Sequence, residues 1–291
     1  MEEWRHSFQS VVRQLAQAKV ESPAREAALL LELASGRSLS DWIVHGGKWQ
    51  GRMVDVFSSY ADRRARREPY HYIAGTREFL GMPLHVNSRV LIPRPETELL
   101  VQAVLDRVPA EPLTVVDVGT GSGAIALALR QWGPTDWTVI GTEKDQEALM
   151  VAKANAQAIN VQVMWREGDL LKAVPESIDV VVANLPYVDG SEQDHLAPEL
   201  IYEPAQALYA DDGGLAVIKE LIVQAAQRFG EKDRDRGASQ IFLEHGIGQS
   251  SRVVDQLVRN GFEHIECLED YAGIVRFVAA QWTRRHQKVG D

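Results

Sequence analysis

The chain has 291 residues, a formal net charge of −10 at pH 7 and 45% hydrophobic residues. This length exceeds the roughly 100–200 residues of a typical domain, so two domains are expected. The negative charge argues against a protein that mainly binds nucleic-acid backbones, and the single cysteine, Cys267, excludes an intrachain disulfide and a cysteine cluster for zinc. No apolar run approaches the roughly 20 residues that span a bilayer, and the charged start does not resemble a signal peptide, so we expect a cytoplasmic protein without membrane association.

The first seventy residues are predicted to form a small helical domain. Apolar residues recur at helical spacing near the start, at Phe8, Val11, Val12 and Leu15. Ser22 and Pro23 then suit a helix start with a cap and a fixed first turn, and Gly36 suits the end of that helix. A third helix is expected at about residues 53–67. We therefore assign residues 1–70 to an N-terminal helical domain.

A linker is expected at residues 71–92, before the main domain. Extended segments at 72–79 and 82–86, separated by Gly81, predict a β-hairpin that connects the two domains. The larger domain is then expected to occupy residues 93–291.

That larger domain alternates predicted strands and helices, which is typical of a mainly parallel sheet with helices on both faces. Seven apolar segments are the expected strands: 114–118, 137–142, 161–165, 178–183, 240–243, 264–268 and 274–278. Their nearly continuous apolar character fits burial on both faces of the sheet. The last two lie close in sequence, so we expect a hairpin with one antiparallel strand at the end of the sheet. The ordinary nicotinamide-binding fold lacks that feature.

A glycine-rich loop, here called the glycine loop, follows the first strand of this domain and precedes a helix. It comprises Gly119, Thr120, Gly121, Ser122 and Gly123. Glycines allow a sharp turn and let a cofactor lie against bare main chain. Glu143, after the next strand, could accept hydrogen bonds from ribose hydroxyls. The loop alone is equally compatible with a nicotinamide cofactor and with S-adenosylmethionine, and a purely structural turn is a smaller alternative.

A tetrapeptide at the end of the predicted strand 178–183 separates these possibilities. It reads Asn184-Leu185-Pro186-Tyr187 and is called the acceptor turn below. A rigid turn with one amide, one proline and one aromatic ring suits a flat group that carries an amine. Such a group is a methyl acceptor if a methyl donor lies beside it, so the tetrapeptide favours S-adenosylmethionine.

Together these motifs resemble the peptide chain release factor glutamine methyltransferases of the HemK type, within the class I S-adenosylmethionine-dependent methyltransferases. Further matching segments are 72–75, 78–81, 90–98, 202–204, 207–208 and 243–246. The resemblance implies a Rossmann-like α/β domain with a seven-stranded sheet. One position departs from the family, because Leu185 stands where proline is usual. Leucine keeps the backbone carbonyl there but does not fix φ as proline does.

The resemblance also implies roles for the cofactor-binding residues. Glu143 would bind the ribose, Asp169 with Leu170 would lie by the adenine, and Asp117 with the glycine loop would face the methionine part. Each acid has a plainer interpretation. Asp169 is also a common turn residue, and Asp117 could brace the loop or the start of the helix.

On the acceptor side, the resemblance implies that the Asn184 side-chain oxygen and the Leu185 carbonyl hold the acceptor amide. Pro186 would hold the turn, and Tyr187 would pack its ring on the planar amide, although alone it would be an ordinary half-buried aromatic. Arg94 and Glu96 are implied to shape the glutamine pocket. The plainer interpretation of residues 94–98 is a helix start with acids favoured by its dipole.

The expected activity is therefore methyl transfer to the glutamine of the Gly-Gly-Gln motif in peptide chain release factors, with no metal and no direct nucleic-acid partner, by a monomer. A nucleic-acid adenine methyltransferase and a cofactor-binding regulatory or oxidoreductase protein are the alternatives, and a near relative methylates a ribosomal-protein glutamine. His245 is expected to be structural, because the reaction needs no strong base.

One basic cluster stands out in the N-terminal domain: Arg63, Arg64, Arg66 and Arg67. A solvated helix face is the ordinary interpretation of such a run. The alternative hypothesis is that the cluster docks an acidic surface of the protein substrate.

Overall fold

The computed structural model describes residues 3–231 and 238–283. The chain divides into two compact units. The first, here called the helical unit, comprises Met1–Thr76 with Ala197–Tyr202. The second, the sheet unit, comprises Arg77–Leu196 and Glu203–Asp291. The boundary expected at residue 70 thus lies a few residues before the end of the first stretch, and a short segment from the larger predicted domain packs within the helical unit.

The helical unit contains five α-helices: α1 (Glu3–Gln17), α2 (Pro23–Ser35), α3 (Leu39–His45), α4 (Arg52–Ala65) and α5 (Tyr70–Ala74). Its core includes an aromatic chain in which Trp42 lies 5.7 Å from Trp4 and 5.5 Å from Trp49, between ring centroids, and Trp49 lies 5.5 Å from Phe57. Such offset and edge contacts stabilise beyond burial alone. These rings hold the helices around one apolar centre.

The structure corrects two local expectations in this unit. Ser22 precedes α2, but its φ of 48° is left-handed and its side chain makes no capping bond. The segment 72–79 is not extended throughout, because α5 occupies its start and buries Tyr72 and Ile73. Gly75, at φ 72°, ends this helix, and only then does the hairpin begin. Gly36 ends α2 in the left-handed conformation, as predicted.

The arginine cluster is largely engaged within the helical unit. Arg63 pairs with Glu68 at 2.5 Å. Arg64, which is buried, pairs with Glu26 at 2.8 Å and with Glu199 at 2.9 Å, and Arg67 also pairs with Glu199. These internal ion pairs favour a structural role for three of the four arginines over the docking hypothesis.

The sheet unit carries the remaining elements. After the hairpin β1 (Thr76–Phe79) and β2 (Met82–His85) come α6 (Pro95–Arg107), β3 (Thr114–Val118), α7 (Ala124–Trp132), β4 (Thr138–Glu143), α8 (Gln146–Ala158), β5 (Met164–Glu167), β6 (Val180–Asn184), β7 (Val188–Asp189), α9 (Ala205–Leu208), β8 (Tyr209–Ala210), α10 (Asp211–Gly214), α11 (Ala216–Gly230), β9 (Ser239–Glu244), α12 (Ser250–Arg259), β10 (Phe262–Glu269) and β11 (Val275–Trp282). Two 3-10 helices complete the described elements: Gly190–His195 in the sheet unit and Pro198–Tyr202 in the helical unit.

The central sheet has seven strands in the order β10-β11-β9-β6-β3-β4-β5. Strands β9, β6, β3, β4 and β5 pair in parallel, and β11 is antiparallel to both of its neighbours. The seven-stranded, mainly parallel sheet and its terminal hairpin are confirmed. The predicted strand at 161–165 begins three residues later, at Met164.

Apolar cores lie on both faces of this sheet. Val180 and Val182 of β6 belong to one core cluster, while Val181 and Ala183 belong to the other. This alternation explains why the strands are apolar at nearly every position. Strands β3 and β6 are parallel neighbours, so they end side by side at one edge of the sheet. Among the described residues, no helix is long and apolar enough to cross a membrane.

Candidate active site

The glycine loop is shaped by main-chain bonds at the end of β3. The amides of Gly119 and Thr120 both donate to the Thr142 carbonyl at 2.9 Å. Gly119 has φ +71°, and a Cβ placed on it would lie 2.7 Å from Cδ2 of Leu185. The left-handed backbone conformation therefore favours glycine, and a larger residue would also have to displace the Leu185 side chain.

Asp117 lies beneath the loop and is completely buried. Its Oδ2 accepts a 2.5 Å bond from the Thr120 hydroxyl and a 3.0 Å bond from the Ala126 amide. Burial raises the pKa of this carboxyl to about 7. Among the described residues, Oδ1 has no hydrogen-bond partner. This arrangement favours the loop-bracing interpretation of Asp117 over direct contact with a cofactor.

Glu143 ends β4 and connects two neighbouring turns. One carboxylate oxygen accepts from the Gly121 amide at 3.1 Å, and the other accepts from the Asp145 amide at 3.1 Å. Asp145 in turn caps α8 by accepting from the Ala148 amide at 3.1 Å, and this bond helps to hold the pKa of Asp145 below its usual value. Asp145 had no predicted role, although an aspartate just before a helix is a recognisable cap.

One cavity of about 1000 Å³, including its open mouth, lies at the carboxyl ends of the strands. Its wall contains most of the predicted site residues: Arg94, Gly119, Thr120, Gly121, Ser122, Glu143, Asp169, Leu170, Asn184, Leu185 and Pro186. Four predicted residues are absent from the wall, namely Asp117, Gly123, Glu96 and Tyr187. The parallel topology thus brings segments from four strands to one cleft, as such folds do at their switch point.

The cavity fits an adenosine-bearing cofactor. It offers bare main chain at Gly121, where a Cβ would meet nothing closer than 4.0 Å, together with the carboxylate of Glu143. Leu170 supplies apolar surface and has the left-handed φ of 52°, which is rare for leucine and concentrates at functional sites. Asp169 beside it is half exposed and forms a 2.5 Å ion pair with Lys172.

The acceptor turn is held by side chains rather than by main chain. Asn184 ends β6, and its Nδ2 donates to the Thr97 hydroxyl at 3.0 Å. The Thr97 hydroxyl donates in turn to Oε2 of Glu244 at 2.7 Å. Thr97 lies in the first turn of α6, and Glu244 pairs with Asn184 in the register of β9 with β6. A ligand could therefore bind the other end of this amide, the Asn184 Oδ1.

Tyr187 joins the same network from the other side. Its hydroxyl donates to Oε1 of Glu244 at 3.2 Å and accepts from Arg276 at 3.2 Å, and the Arg276 guanidinium lies 5.7 Å from the ring centroid. Burial raises the pKa of Glu244 to about 7 and also raises the pKa of Tyr187. Glu244 therefore lies buried between two hydroxyl groups that both donate to it.

Arg94 is fixed at the cavity wall by a buried acid. Its guanidinium lies 2.7 Å from Oε1 of Glu203, whose Oε2 accepts from the Ile92 amide at 3.1 Å. Glu96, predicted beside Arg94, does not reach the cavity. His245 is buried, with Nδ1 2.9 Å from the Gly246 carbonyl, and burial lowers its pKa, which suits a structural histidine.

Thr97, Glu203 and Glu244 had no predicted role, although each lies in a segment that carried the family resemblance. Each touches a predicted site residue that is distant in sequence. In the sequence, the only sign of these three residues was that they lie in the segments matching the family. Their contacts could not be predicted, because they depend on the pairing of β6 with β9 and on where α6 begins.

Two protein families match the chain. Methyltransferase small domain matches residues 95–245, and PrmC N-terminal domain matches residues 7–75. Relatives named release factor glutamine methyltransferase match over nearly the full length. The Coxiella burnetii protein is 34% identical and covers 89% of this chain and 92% of its own length. The Escherichia coli K12 protein is 32% identical, with 92% and 95% covered.

Solved structures share the fold at low identity. A methyltransferase from Pyrococcus furiosus matches with a TM-score of 0.54 and 16% identity, over 76% of this chain and 98% of its own. The T. thermophilus 16S rRNA N2 G1207 methyltransferase, solved with AdoMet and guanosine, matches with a TM-score of 0.52 and 21% identity, over 72% of this chain and 50% of its own. These likenesses concern the fold alone.

Proposed function

Because the chain belongs to the release factor glutamine methyltransferase family, we propose that it methylates the side-chain amide nitrogen of the glutamine in the Gly-Gly-Gln motif of peptide chain release factors. The observation that carries this proposal is the position of Asn184. Its amide lies in the wall of the cavity that also contains the glycine loop, so an acceptor held by Asn184 would meet a donor held by that loop.

The chemistry requires position more than acid or base catalysis. A carboxamide nitrogen is a poor nucleophile, because its lone pair is delocalised into the carbonyl. The cofactor, S-adenosylmethionine, supplies an activated methyl group on a sulfonium. The protein then has to hold the two amide hydrogens so that the nitrogen lone pair points at that methyl group. Alignment of this kind is worth several kcal/mol, up to about 7–11 in the best intramolecular models.

We assign this alignment to two oxygens of the acceptor turn, the Asn184 Oδ1 and the Leu185 main-chain carbonyl. Pro186 restricts the turn, and the Tyr187 ring, locked by Glu244 and Arg276, keeps its proposed role of packing against the planar amide, although it does not line the cavity. Arg94 contributes a fixed cation at the pocket wall. Glu96 keeps a proposed role in shaping the pocket through its charge, since it does not line the cavity.

On the donor side, we assign the ribose hydroxyls to Glu143 and the adenine to Asp169 and Leu170. The glycine loop from Gly119 to Ser122 would lie along the methionine part. Asp117 and Gly123 would serve this half indirectly, by holding the loop and the start of α7.

The proposed partner is a release factor protein, with no direct nucleic-acid contact. Methylation of its Gly-Gly-Gln loop would support translation termination, which takes place in the cytoplasm. We expect the enzyme to act as a monomer.

The decisive experiment measures label transfer from S-adenosylmethionine to three acceptors: a purified release factor, the same factor with the Gly-Gly-Gln glutamine replaced, and nucleic acid. Label on the intact factor alone, and its loss with Asn184→Ala in the enzyme, is the expected result. Label on nucleic acid, or on the factor without that glutamine, would reject the proposal.

A further inference from the structure

We propose that Thr97 and Glu244 are positioning residues that determine which end of the Asn184 amide faces the acceptor. This inference rests on the proposed function of Asn184. The three side chains form a continuous series, called the relay below, in which Asn184 donates to Thr97 at 3.0 Å and Thr97 donates to Glu244 at 2.7 Å.

The direction of the relay follows from how many protons each group holds. An ionised carboxylate only accepts hydrogen bonds, whereas a threonine hydroxyl has one proton to donate. The 2.7 Å bond to Glu244 uses that proton, so the Thr97 oxygen can only accept from Asn184. The amide must therefore turn its NH₂ group toward Thr97 and its Oδ1 away from it. Only that orientation gives the acceptor amide a second oxygen to which it can donate, beside the Leu185 carbonyl.

When Glu244 is protonated, the donor and acceptor roles in the relay are no longer fixed. A protonated carboxyl can donate to Thr97, whose own proton is then free to bond the Asn184 oxygen. The amide can then present its NH₂ group to the acceptor, where two N–H groups would face each other. The wrong orientation would thus repel the acceptor instead of aligning it.

The surroundings of Glu244 control its charge. Thr97 and Glu96 approach it from α6, Tyr187 from the acceptor turn and Arg276 from β11. Burial raises the pKa of Glu244, and the charge of Glu96 raises it further. Arg276 and the hydroxyls of Thr97 and Tyr187 lower it. The resulting pKa is about 7. The Asn184 orientation should therefore become pH-dependent near neutrality.

The first test uses two substitutions at one position. Thr97→Val removes the hydroxyl and keeps the shape, whereas Thr97→Ser keeps the hydroxyl. With the release factor at saturation, Thr97→Val should lower kcat about 100-fold, and Thr97→Ser should stay within about threefold of the wild type. Affinity for S-adenosylmethionine, measured by calorimetry, should change less than about threefold in both. Thr114→Val, the same change at the opposite end of the sheet, is the control for folding.

The second test is the pH profile of kcat. For the wild type, kcat should fall below about pH 7, approaching tenfold per pH unit, as Glu244 takes up its proton. Glu244→Gln cannot ionise and can both donate to and accept from Thr97, so its kcat should be at least about tenfold lower and flat across this range.

Three results would overturn the relay. The first is a kcat for Thr97→Val within threefold of the wild type, and the second is a Thr97→Ser enzyme as slow as Thr97→Val. The third is that kcat of Glu244→Gln still falls below pH 7 as in the wild type, a fall called the acid limb below. Asn184→Ala separates the two proposals. If it abolishes transfer while Thr97→Val does not, only the relay fails. If it leaves transfer intact, the proposed function of Asn184 fails and the relay fails with it.

Discussion

The two halves of the cavity are built in different ways. The donor half is held mainly through main-chain groups: the Thr142 carbonyl accepts two amides of the glycine loop, and the carboxylates of Asp117 and Glu143 accept from further amides. The acceptor half is held by side chains from four separate elements, which meet at Glu244. A main-chain site depends on conformation, whereas a side-chain site depends on individual atoms. The donor half should therefore be sensitive mainly at its glycines and at the two acids that brace it, and the acceptor half should be sensitive to single polar groups.

The largest effect is expected from a substitution that disrupts the acceptor half alone. Asn184→Ala removes the amide oxygen and should lower kcat for methyl transfer by about 10³-fold, comparable to the loss of a donor group in an oxyanion hole. Affinity for S-adenosylmethionine should stay within about threefold, as measured by calorimetry. A tenfold or greater loss of cofactor affinity would mean that the two halves are not separable.

A second prediction compares the buried acids of the two halves. The pKa of Glu244 in the folded protein is about 7, against an ordinary value of 4.5. The folded state therefore binds the proton more tightly than the unfolded state does, and this group stabilises the fold below about pH 4.5 and loses that contribution as the pH rises through 7. The free energy of unfolding of the wild type, relative to Glu244→Gln, should fall between pH 5 and 8 by up to roughly 3 kcal/mol.

Asp117→Asn is the matched variant in the donor half, because burial raises the pKa of Asp117 to about 7 as well. Chemical denaturation at several pH values should show the same sign of change for both acids. The acid limb of kcat should remain in Asp117→Asn. Its disappearance there would assign the limb to the donor half instead.

A third prediction addresses the glycine loop. Gly119→Ala combines a left-handed φ with a 2.7 Å approach to Leu185, so it should weaken S-adenosylmethionine binding about 10- to 100-fold. Gly190→Ala is the control, since that site has open space and no positive φ. Equal affinities of the two variants would show that the loop is less constrained than its contacts indicate.

The smallest effect is expected at Leu185, which belongs to both halves. Its carbonyl is assigned to the acceptor, and its side chain packs on Gly119. Leu185→Pro keeps the carbonyl, so kcat should stay within about twofold, and cofactor affinity should fall slightly. In this background the penalty of Gly119→Ala should shrink, because Cδ2 is gone, and a double-mutant cycle measures that coupling. Strict additivity would contradict it.

The donor half was largely predictable from sequence, since a buried strand, a glycine loop and an acid after the next strand follow one another along the chain. The position of Asp117 was not, because only the folded loop shows that its carboxylate turns inward to Thr120 and Ala126. The roles assigned to these residues remain predictions.

The acceptor half was predictable at the tetrapeptide and at Arg94, which lines the cavity. Its partners Thr97, Glu244 and Arg276 lie far away in sequence and are brought together by sheet register. Local pattern also failed at residues 72–74, where burial of Ile73 in the helical core selects a helix over an extended segment. The seven strands were predictable because each must be apolar on both faces.

The segment Ala197–Tyr202 has a consequence for chain entropy. The chain that leaves the acceptor turn enters the helical unit at residue 197 and returns at 203, where Glu199 is held by Arg64 and Arg67. These ion pairs anchor the middle of the long segment between the acceptor turn and residue 203. They divide it into two shorter spans, each of which has fewer conformations to lose on folding than the whole segment. A protein shortened to begin at residue 77 would keep every residue of the cavity wall, yet it would have to order that segment on folding without its anchor.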